Sequence, residues 1–232
     1  MSTALHLYIA NKNYSSWSLR PWILMRQLGI PFTETLLPFS ENPAAAGRSF
    51  RAQSPTGLLP CLHAGDVVVW DSLAIAEFLA EQHPGVWPVD AVARAWARSA
   101  AAEMHSGFTA LRRQCSMTIG QRVRLQRLDA ALEQDLHRLR ELWTEGLRRF
   151  GGPFLAGPQF TAVDAFFTPV AFRIQTYDLD VGEVSLVYAQ RLRALPASEE
   201  WTAAALKEPW RERSHEDAIA QAGEVWKDLR AS

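Results

Sequence analysis

The sequence predicts a small α/β domain followed by an all-α domain. Three observations carry that prediction. Short apolar strand candidates alternate with helix candidates over residues 5–82. Residues 83–88, His-Pro-Gly-Val-Trp-Pro, then interrupt the chain with two prolines and a glycine. Beyond them, apolar residues recur at helical spacing. The predicted bounds are residues 1–84 for the first domain and 90–232 for the second.

Residues 5–10 are short and apolar, and Asn11-Lys12-Asn13 ends them, as at the end of a strand. Residues 15–28 carry Leu19, Ile23 and Leu28 at helical spacing. Pro21 comes early in that run, where a missing N–H is tolerated. Gly29 stops the helix and Pro31 follows it. Residues 32–37 predict a second strand. Residues 41–53, rich in alanine and bounded by Pro43 and Pro55, read as a loop or a short helix. Residues 60–63, 64–66 and 67–70 read as strand, turn and strand, and residues 72–82 as a helix. After the interruption, residues 91–115 predict a long Ala-rich helix. Residues 120–150 predict another, marked by Val123, Leu125, Leu128, Leu132, Leu136, Leu139 and Leu142, and Gly151-Gly152-Pro153 breaks it. Residues 161–177 are so apolar that their helix belongs at the centre of its domain. Thr161-Ala162-Val163-Asp164 has capping-box spacing at its start. Two or three amphipathic helices are expected over 186–231.

A chain of 232 residues can bury two small cores, and 48% hydrophobic with 21% charged residues is a globular composition. The net charge of -1 points to no nucleic-acid or anionic-membrane partner. Arginines in the second half are interleaved with acids and apolar residues, as on solvated helix faces. Cys61 and Cys115 lie far apart and form no C-x-x-C, and no two histidines stand at ligand spacing, so no metal is expected. No apolar run approaches the ~20 residues of a membrane span, and residues 1–4 carry no signal-peptide pattern. A soluble cytoplasmic protein is the expectation.

Three segments offer chemistry. In Tyr14-Ser15-Ser16-Trp17-Ser18-Leu19-Arg20, hydroxyls meet the free N–H groups and partial positive charge of a helix start, a place that stabilises a thiolate. Ser15 is positioned for that role, with Ser16 and the N–H groups of Trp17 and Ser18 in support. A plain helix cap at Ser15 or Ser16 is the alternative, and Tyr14 is another hydroxyl donor. Leu59-Pro60 is either an ordinary strand start or a cis bond whose Leu59 N–H and C=O face outward to pair with an extended peptide. Asp71-Ser72 opens a helix. Ser72 can bind a carboxylate there and Asp71 an amine, or the pair simply caps. A thiol, an extended peptide edge and an α-amino acid head group together describe glutathione. His105, on the long helix, either faces a cleft or packs.

In order and spacing these motifs resemble the cytosolic glutathione transferases over nearly the whole chain. The resemblance implies a thioredoxin-like N-terminal domain, a linker over residues 84–88 and a helical C-terminal domain with its Thr161-x-x-Asp164 box. Ser15-Ser16-x-Ser18-x-Arg20 is similar to the Ser-Ser-Cys-Ser-x-Arg pattern of the zeta, maleylacetoacetate isomerase-like class. Ser54-Pro55, Leu59-Pro60, Ser72-Leu73-Ala74-Ile75 and Arg94-Ala95-x-x-Arg98 add to it. The resemblance implies that Ser15 activates the thiol of glutathione with Ser16 beside it. Trp17, Leu59 and Pro60 would then hold the peptide, and Asp71 and Ser72 its γ-glutamyl end. It also implies a homodimer, with Glu103 reaching the partner's glutathione. Trp17 stands where the zeta class has cysteine, which narrows the electrophile site, and Leu58 replaces a glutamine. Arg173 lies about one turn before the zeta-class arginine, and Arg112 and Arg113 are further cations. Met104 and Phe108, at i, i+4 spacing, either line the electrophile site or belong to the core. The function so implied is conjugation of glutathione, as co-substrate, to small hydrophobic electrophiles. A glutathione-dependent isomerase or peroxidase and a non-catalytic ligand-binding protein are the alternatives.

Overall fold

A computed structural model of the chain describes residues 4–39, 47 and 49–230. Four strands form one sheet: β1 (Leu5–Ile9), β2 (Thr33–Leu36), β3 (Cys61–Ala64) and β4 (Val67–Trp70), in the order β2-β1-β3-β4. β1 runs parallel to β2, with His6 opposite Thr33 and Ile9 opposite Leu36, while β3 is antiparallel to both β1 and β4. The parallel pair needs a crossover, and α1 (Ser16–Gln27) supplies it. Leu7 and Ile9 alternate with less buried neighbours and enter a core with Leu19, Trp22 and Ile23 of α1. α2 (Ser72–Ala80) completes the domain. Of the segment expected as loop or short helix over 41–53, residues 41–46 and 48 lie outside the described residues, and residues 49–51 are helical.

The second domain contains α3 (Ala91–Ser106), α4 (Thr109–Gln114), β5 (Gln121–Leu125), α5 (Ala130–Phe150), α6 (Ala162–Tyr177), α7 (Glu183–Arg193), α8 (Pro196–Leu206), α9 (Arg213–Ala222) and β6 (Gly223–Asp228). α6 is central, as its composition predicts: every residue but Gln175 is buried, and it packs against α1, α3, α7 and β5. Asp164 organises its start. The carboxylate accepts the N–H groups of Thr161 and Leu155 at 2.9 and 3.0 Å and the Tyr188 hydroxyl at 2.8 Å.

Three expectations for this domain need correction. The long helix predicted over 91–115 ends at Ser106, because Gly107 is extended and Phe108 adopts a left-handed φ of 52° before α4 begins. The helix predicted over 120–150 begins only at Ala130, where the Asp129 carboxylate accepts the Leu132 N–H at 2.9 Å. The preceding residues form β5, which pairs antiparallel with β6, so the chain past α9 is a strand and not a helix. Val123 is buried and Arg124 exposed, a period of two that a seven-residue apolar spacing conceals. Gly223 permits the pairing: a Cβ there would lie 2.0 Å from the Arg124 carbonyl oxygen. Beyond β6, the Leu229 N–H donates to the Gly120 carbonyl at 2.9 Å.

The two domains are joined through the β1–α1 loop, whose residues Asn11, Lys12 and Asn13 are buried although polar. Glu208, just past α8, accepts the backbone N–H groups of Lys12 and Asn13 at 2.6 and 3.1 Å. The Asn13 side-chain oxygen accepts the N–H groups of Ile119 and Gly120, both at 3.0 Å, and the Trp201 indole donates to the Lys12 carbonyl at 2.9 Å. Glu208→Ala strands two of these buried donors. It should cost ~2–4 kcal/mol, since an orphaned buried polar group costs ~1–3 kcal/mol. Urea denaturation measures this, and a loss below ~0.5 kcal/mol would show that the clasp is dispensable.

Candidate active site

The clasped loop delivers the chain directly into the start of α1. Ser15 is the N-cap, and its oxygen accepts the Ser18 N–H at 3.2 Å. Its hydroxyl donates to Ser18 Oγ at 2.8 Å, and Ser18 Oγ also accepts the Ala10 N–H at 3.1 Å. The Ser15 proton is therefore directed back into the protein. Ser16 differs: its oxygen accepts from the Arg173 guanidinium at 3.4 Å, and among the described residues its own proton has no acceptor.

Ser15 and Ser16 open onto a cleft of about 290 Å³ between the domains. One wall comes from Tyr14, Ser15, Ser16, Trp17 and Leu59, the other from Arg112, Ser116, Met117 and Arg173, with Phe39, Phe50 and His215 at its margin. Leu59-Pro60 is a cis bond, with Pro60 buried behind Leu59. Tyr14 is no free hydroxyl. It donates to Glu216 at 2.6 Å and accepts from Arg230 at 3.0 Å, and burial together with the Glu216 hydrogen bond pushes its pKa up. Neither thiol is activated: burial raises the pKa of Cys61, and that of Cys115 to about 12.

Cations dominate this region. Arg20 is 1% exposed, and its guanidinium lies over the Trp17 ring at 4.1 Å and the Phe166 ring at 5.0 Å. Two of its donors, Nε and Nη1, have no hydrogen-bond partner among the described residues. Arg112 approaches the Trp17 ring at 5.3 Å and donates to the His105 carbonyl at 3.0 Å. Arg173 is buried in α6 and donates through Nε to the Cys115 carbonyl at 2.7 Å. Desolvation lowers all three pKa values, to about 9 for Arg20 and about 10 for Arg173, and the neighbouring guanidinium charges add to the shift in Arg20 and Arg173.

A second group of polar residues lies at the start of α2. Asp71, at a φ of 74°, caps the helix by accepting the Leu73 N–H at 2.8 Å, and its other oxygen lies 3.3 Å from His105 Nε2. Burial lowers the His105 pKa while Asp71 opposes it, and the imidazole meets Trp17 edge-on at 5.3 Å. Ser72 is 1% exposed, and its hydroxyl has no partner among the described residues. That orphaned donor at a helix start suits a carboxylate.

The structure thus brings Ser15, Ser16, Trp17, Leu59, Arg112 and Arg173 into one cleft. It places Asp71 and Ser72 outside its lining. Met104 and Phe108, offered as electrophile lining or core, belong to the core. Met104 is fully buried, and the Phe108 ring packs against Phe167 at 6.4 Å, because α3 turns this face toward α6. The Glu103 carboxylate is held within the chain by Arg138 at 2.7 and 3.0 Å. Sequence reasoning missed Phe39, Phe50, Ser116, Met117 and His215. None stands in a periodic run or motif, and His215 reaches the cleft only because α9 packs its ring on Tyr14 at 5.0 Å and Phe39 at 5.2 Å. A larger cavity, about 1100 Å³ between β5, α5 and α6, mixes Arg124 and Arg140 with the acids Glu133, Asp178 and Asp180, and its hydroxyls, on Thr176 and Tyr177, donate to the carbonyls of Thr118 and Ser116. No helix among the described residues is long and apolar enough to cross a membrane.

A thioredoxin-like sheet domain that shares a cleft with a helical domain is the fold of the glutathione transferases. Residues 14–82 match the family model described as glutathione S-transferase, N-terminal domain. The chain is similar to a theta class glutathione S-transferase from Xanthomonas axonopodis pv. citri with glutathione bound, at 22% identity and a TM-score of 0.64 over 86% of this chain and 97% of that one. It is also similar to glutathione transferase Omega 3C from Trametes versicolor, at 21% identity and a TM-score of 0.66 over 92% and 88% of the two chains. A glutathione transferase homolog from Burkholderia gl BGR1, with bound glutathione, gives 21% identity and a TM-score of 0.62 over 87% and 97%. No curated protein sequence matches the chain.

Ser15→Ala removes the cap of α1 and the donor to Ser18 Oγ. Stability should fall by about 1 kcal/mol, the usual cost of losing a serine cap, with the helix retained. Denaturant unfolding checks the loss, and a neutral effect would contradict the capping geometry.

Proposed function

We propose that the protein binds glutathione in this cleft, ionises its thiol and presents the thiolate to a small apolar electrophile. The observation that carries the proposal is the pair of serines at the start of α1 that line one cleft with Leu59 and two arginines. The Ser16 and Ser18 N–H groups are already engaged, by the Tyr14 carbonyl at 3.0 Å and Ser15 Oγ at 3.2 Å, so the helix start contributes its partial positive charge of about half an elementary charge. Ser72's orphaned hydroxyl suits the γ-glutamyl carboxylate, and the Leu59 backbone suits the cysteinyl segment. The match of residues 14–82 to the glutathione S-transferase N-terminal model, and glutathione in similar structures, support the same choice of ligand.

The site is of the serine type on this view, because Tyr14 is committed to Glu216 and Arg230 and both thiols are buried. The Ser15-Ser16-x-Ser18-x-Arg20 pattern makes the zeta class the nearest within the family. A homodimer goes with that assignment. In the reaction the sulfur forms a bond to an electrophilic carbon while the leaving group departs with its electron pair. The protein binds, orients and lowers the thiol pKa, and forms no covalent bond of its own.

Following thiolate absorbance against pH tests this in the purified protein. Bound glutathione should ionise clearly below the ~8.5 of an ordinary thiol. In the Ser15→Ala/Ser16→Ala double variant the value should return to near that of the free thiol, with turnover lost. Binding with an unshifted pKa would leave a ligand-binding protein, and absence of binding would remove the proposal altogether.

A further inference from the structure

The charge that answers the thiolate comes from the other domain. We infer that Arg173 acts through Ser16 as a positioning residue, and that the Ser16–Arg173 pair, in place of Ser15, stabilises the thiolate. This rests on the glutathione-binding function proposed above.

The hydrogen-bond directions separate the two serines. Ser15's proton goes to Ser18 Oγ at 2.8 Å, and its oxygen is engaged by the Ser18 N–H at 3.2 Å. A sulfur arriving in the cleft finds that hydroxyl turned inward. Ser16 Oγ instead accepts from Arg173 Nη2 at 3.4 Å, which leaves its proton for a ligand. A cationic donor on the oxygen polarises the O–H bond and makes it the better donor to an anion.

Arg173 is built for a fixed role. It is 4% exposed, and its Nε is anchored on the Cys115 carbonyl at 2.7 Å. It lines the same cleft as Ser16 and has no carboxylate in ion-pair range among the described residues. The groups around it are Arg112 from α4, Arg20 from α1, and Cys115 and Tyr177. Burial raises the pKa of both Cys115 and Tyr177, so they stay neutral; Asp135 faces Arg112 and Asp71 faces Arg20, whereas no carboxylate among the described residues answers Arg173. A buried charge without a partner is costly unless a ligand completes the pair. The anion that the proposed reaction itself places beside Ser16 is the thiolate.

The experiment is a pH titration of bound glutathione in wild type, Ser15→Ala, Ser16→Ala, Arg173→Gln, Arg173→Lys and the Ser16→Ala/Arg173→Gln double variant. Calorimetric glutathione affinity and thermal unfolding accompany it. The bound-thiol pKa should rise by about one unit in Ser16→Ala and in Arg173→Gln, the size of shift that a single nearby charge or hydrogen bond produces. The double variant should rise no further than the larger single one, because the two act as a unit. Arg173→Lys should recover part of the shift, which a purely structural role would not do. Ser15→Ala should lower stability with a smaller pKa change. If Arg173→Gln does not fold, Ser16→Ala against Ser15→Ala still decides. A larger pKa rise in Ser15→Ala, or additive effects in the double variant, would overturn the inference. Normal binding with a lowered thiol pKa that none of the Ser16 or Arg173 variants changes would sink this inference alone, whereas no glutathione binding by wild type would sink the function beneath it.

Discussion

Everything in the cleft depends on a short polar loop that has been taken out of water. Asn11, Lys12 and Asn13 follow a core strand and precede the helix that carries the serines. Their backbone and side-chain groups find partners across the domain boundary, on Glu208, Trp201 and residues 119–120. The Lys12 ammonium is neutralised by Glu34 at 2.6 Å and lies over the Trp22 and Trp201 rings. Buried polar groups tolerate few alternative arrangements, since each lost partner is expensive. These bonds tie the start of α1 to the helical domain, and with it the wall of the cleft that carries the serines.

The same burial gives the cleft its electrical character. The chain as a whole is nearly neutral, yet Arg20 and Arg112 meet at one aromatic plate, Trp17, with Arg173 close enough to feel both charges. Trp17 has a guanidinium at 4.1 Å on one approach and another at 5.3 Å. An indole face attracts cations and separates them from each other, so a residue whose bulk suggests a narrowed pocket also serves as a spacer between like charges. His105 meets the same ring by its edge and ties it to Asp71. The start of α2 is thereby connected to the start of α1 through a side chain from the helical domain.

Much of this was legible in the sequence because it is local. Strand and helix runs in the first domain, the break at residues 83–88 and the buried central helix all follow from periodicity and punctuation. Ser15, Ser16, Leu59 and Arg173 were within reach because each belongs to a motif or to a strongly patterned helix. β5 and β6 were not, because pairing between residues 121 and 228 has no local signature, and Val123 and Leu125 fall into phase with the helix that follows. Cleft residues contributed by loops and by α9 escaped for the same reason. The different hydrogen bonding of Ser15 and Ser16 was also invisible, since it turns on which partners surround two hydroxyls and not on residue type.

The outermost ribbon has a consequence for how the molecule comes into being. Arg230 lies 216 residues after Tyr14 and bonds its hydroxyl, and Glu208 lies 196 residues after Lys12. At ~5–20 residues per second of synthesis, the first domain waits roughly ten to forty seconds before either partner exists. Throughout that time the donors of residues 12 and 13 face water and the serine-bearing helix is held from one side only. The nascent first domain is thus a sheet with an unfinished loop, and the second wall of its cleft is added only as the helical domain is made.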